Sequence, residues 1–130
     1  MIDGGMATIY VSDMEQSVYF YDHVLGLTLV ERFGDDFAIV DAGGGLLLGL
    51  RMASDYSPEP GQKGATTLAF YPDRPIEEAR EALEARGVEF VGATRGTPES
   101  RVRMAFFRDP DGNRFYLYQT PERREALDAI

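Results

Sequence analysis

The sequence predicts an α+β fold of two βαβββ modules, each a curved mixed sheet with its helix on the outer face. Three observations carry this. A strand–helix–three-strand pattern runs twice along the chain. Helix start and stop signals recur about 60 residues apart, Asp13 with Asp73 and Gly26 with Gly87. A stretch rich in proline and glycine, "ASDYSPEPGQKGA", separates the copies. Repetition of this kind packs most simply as two equivalent units. The expected organisation is one domain over 1–130: module one at about 6–51, a linker at 52–65, module two at about 66–119 and a tail at 120–130.

Each element has its own signal. "ATIYV" alternates apolar and polar residues like a half-buried strand. In "SDMEQSVYFYDHVLG", Asp13 can cap the following amides and Gln16 stands three residues on. Met14, Val18, Tyr21 and Leu25 then share one helical face, and Gly26 supplies the stop. Strands are expected at Leu27 to Arg32, Phe37 to Asp41 and Leu46 to Arg51, divided by "GDD" and "AGGG". After the linker, "TLAFY" reads as a strand. "DRPIEEAREALEARG" reads as a helix with Pro75 near its start, Gly87 at its end and Ile76, Ala79 and Leu83 buried. "VEFVGAT", "RVRMAFFR" and "RFYLYQ" are three further strands, and "TPERREALDAI" suits a short capped surface helix.

"DPDGN" (Asp109 to Asn113) invites a calcium-loop reading. Asp109, Asp111 and Asn113 fill the first, third and fifth positions, but the sixth is Arg114 and the twelfth Thr120, where glycine and glutamate are required. It is instead a tight turn between the last two strands. Pro110 pre-sets the backbone, Asp109 and Asn113 bond to local amides, and Gly112 takes positive φ.

Composition excludes several functions. The chain has 130 residues, 44% apolar and 27% charged, as expected of a soluble globular protein. No apolar run approaches the roughly 20 residues of a membrane span and no leader is evident, so a cytoplasmic location is expected. The absence of cysteine removes disulfides, thiolate nucleophiles and zinc–thiolate clusters. A formal charge of −9 argues against nucleic acid and permits a cationic ligand. Gly43 to Gly45 lack the lysine and helix of a phosphate loop.

Strand alternation assigns side chains to faces. Ala7, Ile9 and Val11 should lie under the first helix, leaving Met6, Thr8 and Tyr10 on the other face, with Phe37 and Ile39 beside them. Leu68, Phe70, Phe115 and Leu117 should lie under the second helix. That leaves Thr67, Ala69, Tyr71, Arg114, Tyr116 and Tyr118 on the free face. Arg51 and Arg103 depend on register, since a one-residue slip reverses the side. The candidate ligand-binding set is Met6, Thr8, Tyr10, Phe37, Thr67, Tyr71, Arg103, Tyr116 and Tyr118, with Arg103 able to grip a carboxylate bidentately. Aromatic walls with a few hydroxyls suit a planar, partly apolar small molecule. They also suit a self-filled cup or a dimer interface.

"VSDMEQSVYFYDHVLGL", "LEARGVEF" and "FRDPDGN", in that order within paired modules, resemble the vicinal oxygen chelate superfamily of glyoxalases, bleomycin-resistance proteins and extradiol dioxygenases. The resemblance runs from about Met6 to Gln119. It implies metal ligands at three positions that here hold Met6, Thr66 or Thr67, and Tyr116. Thioether, threonine hydroxyl and neutral phenol are poor donors for zinc, iron, magnesium or manganese, so no metal and no cofactor is expected. His23 near the end of the first helix reads as structural or exposed, and the spacing of Asp41, Glu89 and Glu99 specifies no replacement site. The expectation is a metal-independent, homodimeric small-molecule binder with no nucleic-acid or membrane partner. The alternative is a lyase or dioxygenase with a relocated metal, or one using Tyr10, Tyr71 or Tyr116 as general acid.

Overall fold

A computed structural model describes residues 1–62, 67–96, 99 and 101–129. The chain divides into two units, Met1–Thr66 with Asp109–Asn113, and Thr67–Arg108 with Arg114–Ile130.

In the first unit the strands are β1 (Met6–Val11), β2 (Thr28–Phe33), β3 (Phe37–Asp41) and β4 (Leu47–Met52). They form one sheet in the order β1-β4-β3-β2, parallel between β1 and β4 and antiparallel elsewhere. Helix α1 (Met14–Tyr19) follows β1 and is capped by Asp13, whose side chain accepts from the Gln16 amide at 3.0 Å. It widens into a π-turn over Phe20–Val24, which brings the consecutive Phe20 and Tyr21 both to the interior. Gly26, at φ 78, ends it, and the Leu27 amide reaches back to the Tyr21 carbonyl at 2.9 Å. Helix α1 packs on β3 and β4. The sheet face on that side holds Ile9, Val11, Ala38, Val40, Leu48 and Leu50, all buried, each an alternate strand residue, as period-2 patterning requires.

The second unit repeats the plan with β5 (Leu68–Phe70), β6 (Glu89–Gly96), β7 (Arg103–Arg108) and β8 (Arg114–Gln119), ordered β5-β8-β7-β6. Helix α2 (Ile76–Ala85) covers a core of Phe107, Phe115, Leu117 and Ala105. In that core Phe70, Phe107 and Phe115 stack at 5.4–6.2 Å. Asp73 is not the counterpart of Asp13. Pro75 holds the N-cap position of α2 and offers no side-chain bond, while Asp73 pairs with Arg74. The capping acceptor comes from β8: buried Gln119 takes the Ile76 amide on Oε1 at 3.3 Å and donates Nε2 to the Arg74 carbonyl at 3.2 Å. Helix α3 (Pro121–Asp128) closes the chain, capped by Thr120. Among the described residues no helix is long and apolar enough to cross a membrane.

The turn at 109–113 is more than a hairpin connector, because it packs within the first unit. Asp109 Oδ1 accepts the amides of Asp111 and Asn113 at 2.9 and 2.8 Å, as the local pattern predicts. Its Oδ2 accepts Asn113 Nδ2 at 2.8 Å and the buried Tyr21 hydroxyl at 2.6 Å. Asn113 also donates to the Tyr10 carbonyl at 3.1 Å and accepts the Gly61 amide at 2.9 Å. Asp111 is bonded by the Ser12 hydroxyl and amide. A turn read as purely local is thus a polar plug satisfied by groups 52 to 103 residues away. Burial pushes the Asp109 carboxyl above the usual carboxylate range, against the opposing pull of the Tyr21 and Asn113 hydrogen bonds. Burial, with Asp109 next in weight, pushes the Tyr21 phenol well up.

Candidate functional site

Each sheet has one face covered by its own helix and one turned away from it. On the turned-away face of the first sheet the register places Tyr10, Arg51 and Phe37 in one row, Thr8, Gly49 and Ile39 in the next, and Met6, Leu47 and Asp41 in the third. The predicted residues Met6, Thr8, Tyr10 and Phe37 therefore share a face. Its floor is shaped by Gly49: a Cβ there would stand 2.8 Å from the Phe37 ring and 3.1 Å from Met6 Sδ. Phe37 leans into that space, and the Arg51 guanidinium lies over its ring at 4.7 Å from the centroid. Tyr10 and Arg51 also border an open recess of about 480 Å³ together with Asp36 and the turn at Ser54–Ser57.

The second sheet carries the larger aromatic surface. Across β7 and β8 the pairs are Arg108 with Arg114, Phe106 with Tyr116, and Met104 with Tyr118. Directly opposed residues of an antiparallel pair point to the same face, so all six share the face opposite buried Phe107 and Phe115. Phe106 and Tyr116 stack at 5.0 Å, Tyr118 meets Tyr116 edge-on at 6.2 Å, and Tyr71 continues the row 6.4 Å beyond Tyr118. Guanidinium groups bound it: Arg95 lies 5.9 Å from the Phe106 ring and Arg123 of α3 lies 3.7 Å over Tyr71. Tyr116 and Tyr118 are half-buried and Tyr71 exposed. Thr67 is exposed immediately before β5.

Arg103 does not join this face. It opposes Gln119, whose side chain serves α2, so it stands on the helix side. There it borders a recess of about 580 Å³ with Arg101, Gln119 and α3, which has no aromatic wall. The tight turn explains the correction: once Phe115 and Leu117 point inward, Phe107, Ala105 and Arg103 must do so as well. The same parity places Phe106 and Arg108 on the aromatic face, whereas Arg95 lies on β6 beyond a register shift and is not reached by counting from the turn.

The described residues at the positions where the resemblance implies metal ligands are poor donors. Met6 offers a half-exposed thioether against Phe37, Tyr116 a phenol stacked on Phe106, and Thr67 a hydroxyl, while Thr66 lies outside the described residues. Among the described residues no three His, Cys, Asp or Glu side chains come together as a metal site would need. His23 is exposed and touches Asp22 and Tyr19.

Two βαβββ units, each with an aromatic sheet face turned away from its own helix and with no metal-donor cluster among the described residues, define a paired-module protein. The model of the Glyoxalase/Bleomycin resistance protein/Dioxygenase superfamily matches residues 5–117, and the chain belongs to that superfamily. A superfamily member from Sphaerobacter thermophilus is similar at TM-score 0.73 and 32% identity, over 91% of this chain and 97% of that one. TnmS3, an antibiotic binding protein from Streptomyces sp. CB03234, is similar at TM-score 0.75 and 28% identity, over 92% and 97%. Metallothiol transferase FosB of Lysinibacillus sphaericus is 29% identical over 91% of this chain and 82% of its own. The manganese-dependent 2,3-dihydroxybiphenyl 1,2-dioxygenase of Geobacillus genomosp. 3 is 27% identical over 94% of this chain, which spans 38% of that enzyme.

Proposed function

We propose that this protein binds a small planar aromatic molecule on the aromatic face of its second sheet, without a catalytic metal. The row Phe106–Tyr116–Tyr118–Tyr71 carries the reading. The half-buried rings of Phe106, Tyr116 and Tyr118, with exposed Tyr71 beside them, can stack a flat ligand, each contact contributing about 0.5–1.5 kcal/mol beyond area burial. Similarity to an antibiotic binding protein supports a binding role. The donor chemistry of Met6, Thr67 and Tyr116 argues against the metal-assisted alternative. As in the sequence expectation, the binder is read as a homodimer, and sedimentation showing only monomer would remove that part.

The test is a thermal-shift and tyrosine-fluorescence screen of planar aromatic compounds on chelator-treated protein; the chain has no tryptophan to obscure the signal. Hits should bind without added metal, and Tyr116→Ala should weaken them at least about tenfold, since stacked rings are typical binding hot spots. Binding that required manganese or zinc, or that ignored the loss of Tyr116, would overturn the reading.

A further inference from the structure

The whole chain carries −9, with 22 acidic residues against 13 basic ones, which favours a cationic ligand if charge is taken as a single number. The aromatic face of the second sheet has the opposite sign. Glu89 opposes Arg108 and Arg95 opposes Met104, so among the described strand-paired residues of β6, β7 and β8 this face holds Arg95, Arg108 and Arg114 against one carboxylate, Glu89. Among the described residues none of these three arginines forms an ion pair. Arg108 and Arg114 are directly opposed, an arrangement in which like charges repel.

Along the hairpin the next pair on the same face is Phe106 with Tyr116. Same-face neighbours on a strand stand about 6.5–7 Å apart. A flat ring lying against Phe106 and Tyr116 therefore puts a substituent at its edge within reach of two exposed guanidiniums. Guanidinium groups match the planar carboxylate fork bidentately. A carboxylate there would also relieve the repulsion between the two arginines.

We infer that the ligand of this face is an aromatic carboxylate, its ring on Phe106 and Tyr116 and its anionic group between Arg108 and Arg114. The inference rests on the aromatic-binding reading and adds the sign of the ligand's charge. Arg95, over Phe106, strengthens the preference for an electron-rich or anionic arene. The preference comes from hairpin parity and is independent of the overall charge.

Three isosteric probes separate the possibilities: 2-naphthoate, the neutral 2-naphthamide and the cationic 2-naphthylmethylammonium, titrated against the full chain by calorimetry and by shifts of arginine side-chain resonances. Naphthoate should bind at least about tenfold tighter than the amide, with the cation weakest. Arg114→Gln should abolish the acid-over-amide preference, and Tyr116→Ala should weaken acid and amide alike. Naphthoate affinity should fall as salt rises. Amide or cation binding as tight as naphthoate through Tyr116 would overturn the charge assignment and leave the aromatic reading standing. No binding of any probe would overturn both. A naphthoate preference that survives Arg114→Gln and Arg108→Gln would move the anion site off this hairpin.

Discussion

Replacing Tyr21 by Phe removes one atom, the hydroxyl that donates to Asp109 Oδ2 at 2.6 Å in the interior of the first unit. The ring volume is kept, so no cavity forms and the cost is the hydrogen bond itself. Bonds to a charged acceptor contribute about 1.5–3 kcal/mol. Asp109 retains Asn113 Nδ2 on the same oxygen and two amides on the other, which keeps the loss near the lower half, about 2 kcal/mol. For a chain of this size that corresponds to roughly 6–10 °C in Tm. The loss should depend on pH. The Asp109 carboxyl sits above its ordinary range because burial outweighs the bonds it accepts. Its ionisation therefore withdraws stability as pH rises from about 4, the unfolded value, through the raised folded value. Tyr21 donates to the ionised form and limits that rise. Without it the folded value climbs further, so the variant's deficit is small where Asp109 is protonated in both states and largest near neutrality. Urea unfolding of both proteins at a series of pH values from about 4 to 8 reads this directly. A deficit below about 0.5 kcal/mol near neutrality, or one constant across the series, would refute the assignment of Asp109 as a buried carboxylate relying on Tyr21.

Three further outcomes follow from geometry already described. Gly61→Ala should destabilise by at least about 2 kcal/mol, because a Cβ at φ 77 would stand 1.8 Å from the Asp111 carbonyl; thermal unfolding within about 2 °C of the parent would contradict that packing. Arg114→Gln should raise stability by a few tenths of a kcal/mol by removing a directly opposed like charge. That gain should vanish near 1 M salt, where the screening length is about 3 Å; a loss of stability would mean that Arg114 has a partner. A Cβ in Gly49→Ala meets the Phe37 ring and the Met6 side chain first, so it should cost about 1 kcal/mol while displacing the Arg51 side-chain resonance, and an unmoved resonance would contradict the Arg51–Phe37 stack.

The paired modules, the caps at Asp13, Gly26 and Gly87 and the buried alternate residues of β1 and β8 were legible because each depends on neighbours within a few positions, whereas the short β5 is half-buried throughout and shows no alternation. The capping of α2 was not. Pro75 blocked the local solution at Asp73, and the replacement acceptor, Gln119, lies 43 residues away. The plug at 109–113 was half legible: the bonds of Asp109 to local amides followed from its place in the turn, but Asn113 accepts the distant Gly61 amide instead of a local one, and Tyr21 reads in the sequence as one more apolar helix residue. Its hydroxyl acquires meaning only when Asp109 arrives from 88 residues downstream.

The aromatic face of the second sheet shows where residue type alone does not assign a side. Arg103 draws notice in the sequence because a guanidinium can hold a carboxylate, a property it shares with Arg108 five positions further along the same strand. What distinguishes them is parity. The turn at 109–113 ties Arg108 to Arg114, and counting back by twos puts Phe106 and Met104 on that face and sends Arg103 to the other. Net charge, likewise, says nothing about how charge is divided between the faces. The exposed Glu77, Glu78, Glu81 and Glu84 of α2 contribute to the total of −9, yet α2 lies behind the sheet, and screening over about 8 Å in physiological salt confines each charge to its own side. A ligand at the aromatic row meets the arginines of one hairpin, whatever the sum over the chain.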